Sequence, residues 1–75
     1  MFNEVHDFEA VSSSWVDEIA WGELDGEEGI AVKFLDGAIC FYPGTDEDEY
    51  FKFMGAGSKG QWVWEHLYGL SYILV

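Results

Sequence analysis

Positive charge is almost absent from this 75-residue chain. Lys33, Lys52 and Lys59 stand against fifteen Asp and Glu, for a formal net charge of −12. So few cations leave little for phosphate contacts, and a coat of this sign repels nucleic acid and anionic membranes while attracting basic partners. Cysteine is nearly absent too: Cys40 stands alone. That excludes an intrachain disulfide framework and fits a reducing compartment. No run of about 18 apolar residues exists, so no membrane-spanning helix is expected. Leu70–Val75 is apolar but far too short. The start, Met1-Phe2-Asn3-Glu4-Val5-His6-Asp7, has neither a basic n-region nor an apolar h-region, so no secretory leader is expected and the expected location is cytoplasmic.

Aromatics are what the chain does have. Four Trp, four Tyr and six Phe are too much apolar surface for the disordered, solvating segment that such acidity alone would suggest. The length makes one domain near the lower limit of independent folding. Residues 1–11 read as an N-terminal extension, its first ten without a clear period and open to a loose tail or a short helix. Residues 12–75 read as a single α+β domain.

Within that domain Trp15 to Leu24 alternates imperfectly and predicts a strand, with Trp15, Ile19 and Trp21 on one parity and Asp17 interrupting. Asp25-Gly26-Glu27-Glu28-Gly29 is a polar, glycine-bounded turn. Ile30–Leu35 and Ala38–Tyr42 flank Asp36-Gly37, the dipeptide of a two-residue type I′ hairpin. That loop pairs Leu35 with Ala38 and Phe34 with Ile39. It gathers Ile30, Val32, Phe34, Ile39 and Phe41 on one face, and Ala31, Lys33, Leu35, Cys40 and Tyr42 on the other. Pro43-Gly44 ends the strand. Thr45 is placed to cap a helix beginning Asp46-Glu47-Asp48-Glu49, with Tyr50, Phe53 and Met54 on one face. Gly55-Ala56-Gly57 stops it, and Ser58 with Gln61 forms a capping box for a second helix carrying Trp62, Val63, His66 and Leu67 up to Gly69. Leu70–Val75 is a last strand or an extended arm. The expected architecture is a three-stranded antiparallel meander followed by two short helices, with a C-terminal strand as an option.

From Ser12 to Gly69 this order resembles the KTSC domain, a small module named for the C-terminus of some lysyl-tRNA synthetases and found also in free-standing bacterial and phage proteins. The resemblance rests on Ser12-Ser13-Ser14 before the first strand, the Asp36-Gly37 hairpin, the aromatic third strand, the short helix, and Ser58-Lys59-Gly60 opening the last helix. The chain departs at Ile39-Cys40-Phe41, where the family tends to carry Tyr-x-Tyr, and at Tyr68, where a basic residue usually precedes the glycine. The resemblance implies an RNA-binding or translation-associated module, and, if the protein is phage-encoded, a host cytoplasm.

No residue pattern points to catalysis or a cofactor. Neither acidic run matches a calcium loop, and adjacent carboxylates on a helix diverge, which makes such a run a poor ligand cage. His6 and His66 are sixty positions apart, and Cys40 has no activating neighbour in sequence. Ser12-Ser13-Ser14 and Ser58-Lys59 lack the spacings of nucleophilic or phosphate-binding motifs. The expectation is therefore a small acidic, non-enzymatic binding protein. In its sharpest form it is a phage-type inhibitor that imitates DNA and occupies a basic, nucleic-acid-binding surface of a host protein. The candidate contact residues are the clusters Asp46, Glu47, Asp48, Glu49 and Asp25, Glu27, Glu28, with Trp64 and Trp15 as aromatic anchors. The alternatives are the RNA-binding module and a self-associating, homodimeric structural protein that uses an apolar sheet face and the C-terminal arm.

Overall fold

The computed structural model describes residues 2–75. It contains the strands β1 (Phe2–Ala10), β2 (Val16–Leu24), β3 (Glu27–Phe34) and β4 (Ile39–Pro43), then the helices α1 (Glu47–Gly55) and α2 (Lys59–Trp62). α2 runs on into a π-helical turn, Val63–Leu67, before a short β5 (Ile73–Leu74). All five strands form one antiparallel sheet in the order β1-β2-β3-β4-β5. The architecture is α+β with a meander and two short helices, and the sheet has five strands rather than three. Among the described residues no helix is long and apolar enough to cross a membrane.

The two faces of the sheet are built from different residues. One face carries Ile19, Trp21, Ile30, Val32, Cys40 and Tyr42, packed beneath Tyr50 and Phe53 of α1 and beneath Trp62, Val63 and Leu67. Each such large side chain contributes on the order of 1.5–3 kcal/mol by leaving water. The other face has Ala20 and Ala31 as its buried floor with Phe41 lying on them. Small residues meet there in register, Ala20 opposite Ala31 and Gly22 opposite Gly29. A Cβ on Gly22 would sit 2.8 Å from the Phe2 ring, and one on Gly29 would sit 3.1 Å from the Phe41 ring. The stripe of small residues is what lets these rings approach the sheet so closely.

Three expectations are corrected here. The segment at residues 2–10, expected as a loose tail or a short helix, is the edge strand β1. Its pairing with β2 shifts between Glu4 and His6 and again between His6 and Glu9. Each bulge reverses which side the following residues face. Phe2 and Phe8 therefore lie with Phe41 on the second face, while His6 reaches the helix side. Two reversals within nine residues erase any period of two.

The second correction is the β3–β4 register. Ala31 pairs with Phe41, Val32 with Cys40 and Ile30 with Tyr42, one residue away from the expected pairing. The loop has three residues, Leu35-Asp36-Gly37. Phe34 N–H donates to the Ala38 carbonyl at 2.9 Å and Gly37 N–H to the Phe34 carbonyl at 2.9 Å. Gly37 has φ of 95° while Asp36 is not among the positive-φ residues. This is a type I turn with a glycine bulge, not type I′. The slip moves Phe41 and Ile39 off the helix face and brings Cys40 and Tyr42 onto it. Volume is the physical reason: the helix face already holds Ile30 and Val32 and accepts a cysteine between them, whereas the Ala-Gly stripe leaves room for a phenyl ring.

The third correction is the start of α1. Asp46, not Thr45, is its cap, accepting from Glu49 N–H at 2.9 Å. Thr45 does something else: its Oγ1 accepts from Ile30 N–H at 2.9 Å and donates to the Tyr42 carbonyl at 2.8 Å. Ser58 caps α2 as expected, accepting from Gln61 N–H at 3.2 Å, but the Gln61 amide donates to Glu65 rather than completing a capping box.

Candidate binding surfaces

Both acidic clusters sit at the same end of the sheet. Asp25 and Gly26 form the two-residue β2–β3 loop, with φ of 53° and 86°, between Leu24 and Glu27. β4 ends beside it, since Gly44 N–H donates to the Glu28 carbonyl at 3.1 Å. Two residues beyond Gly44 the chain caps and enters α1 at Asp46 and Glu47. Asp25, Glu27 and Glu28 thus share one pole with Asp46, Glu47 and Asp48, all exposed, while Glu49 is half-buried. Glu23, in the same region, is tied by Asn3 Nδ2, which donates to its Oε1 at 2.8 Å. Glu47 is held from β1: His6 Nε2 lies 2.6 Å from its Oε2. The His6 ring itself stacks on Tyr50 with centroids 5.0 Å apart and 3° between planes. Sequence spacing did not mark His6, because only the bulges of β1 bring it over α1.

The two tryptophans are placed differently. Trp15 precedes the first residue of β2 and Asp25 follows the last, so the strand separates them and Trp15 is not beside the Asp25 cluster. Its ring stacks on Phe34 at 5.4 Å and leaves it 38% exposed. Trp64 is 59% exposed and stacks on Tyr68 at 4.3 Å.

The Ser58-Lys59-Gly60 segment has a structural role at each position. Ser58 caps, Lys59 Nζ donates to the Ala56 carbonyl at the end of α1, and Gly60 leaves the space that Trp15 fills. A Cβ at Gly60 would fall 2.1 Å from Trp15 Nε1. The serine run is likewise local: Ser13 Oγ accepts from the N–H groups of Trp15 and Val16, each at 3.3 Å. Lys33 lies 4.0 Å from Asp17 and 3.9 Å from Glu18.

The titratable groups that depart from ordinary behaviour are structural. Burial, then Asp36, pushes the Cys40 thiol up, so the thiolate needed for nucleophilic chemistry is disfavoured. Burial, then Cys40 and Tyr72, pushes the Tyr42 phenol up to about 12. Burial, then Glu9, raises Tyr50. Among the described residues, no three His, Cys, Asp or Glu converge on a common point that could hold a metal ion.

A further surface was anticipated only in outline, as the apolar sheet face and C-terminal arm of the self-association reading. On the second face an open, apolar hollow of about 590 Å³ is lined by Phe2, Phe8, Leu24, Ile39, Ile73 and Val75, among others. The mirrored spacing of Ala20 and Gly22 with Gly29 and Ala31 about Asp25-Gly26 was the available signal for its floor. Its walls depend on the bulges of β1 and the register of β4, which carry no such signal.

No family model matches the chain, and no curated protein matches it.

Proposed function

We propose that this protein is a small acidic, non-enzymatic binding module whose carboxylate-bearing pole occupies a basic surface on a host protein, as a phage-type inhibitor standing in for DNA would. The observation that carries the reading is the convergence of two acidic runs, nearly twenty residues apart in sequence, on one end of the sheet. Carboxylates held by a capped helix and a tight hairpin keep fixed spacings, and fixed negative charge steers a basic partner into fast association at low salt. The resemblance to the KTSC domain supplies the second reading, an RNA-binding or translation-associated module. The engagement of Lys33 by Asp17 and Glu18, and of Lys59 by a backbone carbonyl, supports the acidic reading over it.

Capture from host lysate across a salt series tests the proposal. The comparison variant carries Asp46→Asn, Glu47→Gln, Asp48→Asn, Glu27→Gln and Glu28→Gln. Asn caps a helix about as well as Asp, so the fold is retained. Capture is expected to weaken with salt, and the variant to associate more slowly with a flatter salt dependence. No capture, or capture and salt dependence unchanged in the variant, makes the charge a solubility coat and passes the argument to self-association. Micromolar binding of single- or double-stranded oligonucleotides at ~50 mM salt, the most permissive condition, restores the RNA reading.

A further inference from the structure

The chain covers one face of its sheet with helices and leaves the other to a floor of alanine and glycine under three phenyl rings. Phe2 meets Phe41 at 5.4 Å and Phe8 at 6.2 Å. The hollow beside these rings runs across the strands, from Phe2, Phe8 and Leu24 on β1 and β2 to Ile39, Ile73 and Val75 at β4 and the C-terminal arm. Ile73 and Val75 are each 47% exposed. Carboxylates share this face. Glu27 pairs with Leu24, Glu4 with Gly22 and Glu18 with Ala10 in register, against the one lysine there, Lys33, which pairs with Ile39 and lies within reach of Asp17 and Glu18. The surface is therefore an apolar trough with an acidic rim.

We infer that this trough is the docking site for an amphipathic helix of the basic partner, apolar stripe down and Lys or Arg along its flanks; the inference rests on the basic-partner reading proposed above. A segment lying across a sheet face finds no ladder groups to bond, so its backbone polar groups must be satisfied internally, and a helix does that. The opposite face accepts helices in this way, with Phe53 and Leu67 in one buried cluster with Ile19 and Val32. Rim charge selects the flanks: glutamates favour a basic helix and oppose an acidic one. The same argument disfavours a second copy of the chain, which would bring another net charge of −12 and an identical rim.

The test is an amide chemical-shift titration of the full chain with three synthetic peptides of about 18 residues, five turns at ~3.6 residues per turn. One is a Leu/Lys amphipathic helix, one is the same composition scrambled, and one is a Leu/Glu amphipathic helix. The Leu/Lys helix is expected to shift the amides of Phe8, Ile39, Ile73 and Val75 and to bind at least tenfold more tightly than the other two. Ile73→Ser with Val75→Ser should weaken it about tenfold. Glu18→Gln, which leaves the trough walls intact, should weaken it about two- to threefold and steepen no salt dependence. Shifts confined to Asp25–Glu28 and Asp46–Glu49, abolished by neutralising that pole, overturn the trough inference while leaving the basic-surface reading standing. Equal binding of the Leu/Glu helix in the trough overturns the basic partner. Trough shifts that grow with protein concentration alone, with a dimer in sedimentation velocity, give the face to a second copy and overturn the inference.

Discussion

The chain turns twice on the dipeptide Asp-Gly, and the two turns differ. At Asp25-Gly26 both residues have positive φ, the loop is two residues long, and the flanking strands pair Leu24 with Glu27. At Asp36-Gly37 only the glycine is left-handed, Leu35 joins the loop, and the Asp36 carboxylate accepts from Ala38 N–H at 3.0 Å. A turn dipeptide offers a short list of geometries, and what the flanking strands must bury selects among them. On β2 and β3 the small residues already mirror each other about Asp25-Gly26. On β3 and β4 a two-residue loop would bring Ile39 and Phe41 under the helices and leave the alanine-glycine floor uncovered. The added loop residue puts Phe41 on that floor, where it is fully buried.

The largest way to break this comparison is to remove the ring that sets the second register. Phe41→Ala is expected to cost about 3–5 kcal/mol through the cavity it opens, a loss that leaves so small a domain largely unfolded at 37 °C in thermal denaturation. A loss below ~1 kcal/mol would mean that the floor does not select the register.

Alkaline titration sharpens the same point from β4. The register buries Tyr42, and its phenol is raised from 10.0 to about 12 in the fold. A raised folded value favours the protonated form, so this contribution is complete below about pH 10 and is lost as pH climbs from there toward 12. Stability should fall by on the order of 2 kcal/mol across that window, at 1.36 kcal/mol per unit. Tyr42→Phe should flatten the fall, measured by denaturant midpoints at pH 9 and at alkaline pH; an equally steep fall in the variant would place Tyr42 in water.

Gly26→Ala and Gly37→Ala each place a Cβ at positive φ, 86° and 95°, in open space. Each should cost about 1–2 kcal/mol, read as a drop of several degrees in Tm. The turns part at the preceding aspartate. Asp25→Val puts a β-branched residue at φ of 53°, while Asp36→Val loses one hydrogen bond to backbone, so the first should be the more damaging.

The smallest expected effect is the most discriminating. Deleting Leu35 turns the second loop into a two-residue Asp-Gly loop that joins Phe34 to Ala38, residues already bonded to each other. Pairing below the loop then stays as it is, and the loss is the bond from Leu35 N–H to the Trp15 carbonyl, about 0.5–1.5 kcal/mol. Cross-strand proton contacts between Ala31 and Phe41 should persist. Their disappearance would show the loop, not the floor, setting the register.

What the sequence disclosed follows from the same physics. The α1 stripe of Tyr50 and Phe53, the Ser58 cap, the glycine after Tyr68 and the existence of both hairpins are set by neighbours a few residues apart, and local chemistry reports them. β1 was illegible because its bulges cancel the alternation that identifies a strand. The interruption at Asp17 had a similar origin: pairing shifts between Val16 and Glu18, so Val16 joins Ile19 on the helix face. The acidic residues were visible as two runs, but their shared pole exists only because β3 returns the chain to Glu28 as β4 leaves it at Gly44. The apolar trough needed both the bulges and the slipped register, and no single segment of sequence contains either.

Thr45 joins the two halves of the molecule in time as well as in space. Its hydroxyl stands between Ile30 N–H and the Tyr42 carbonyl, filling a rung of the β3–β4 ladder from the residue that precedes the cap of α1. The amide of Ile30 is therefore covered by a side chain carried on the entry to α1, and its exchange is expected to follow the opening of that entry. Helix start and sheet end are expected to open as one cooperative unit, which would hold the carboxylates at that end to the spacing set by the central strands.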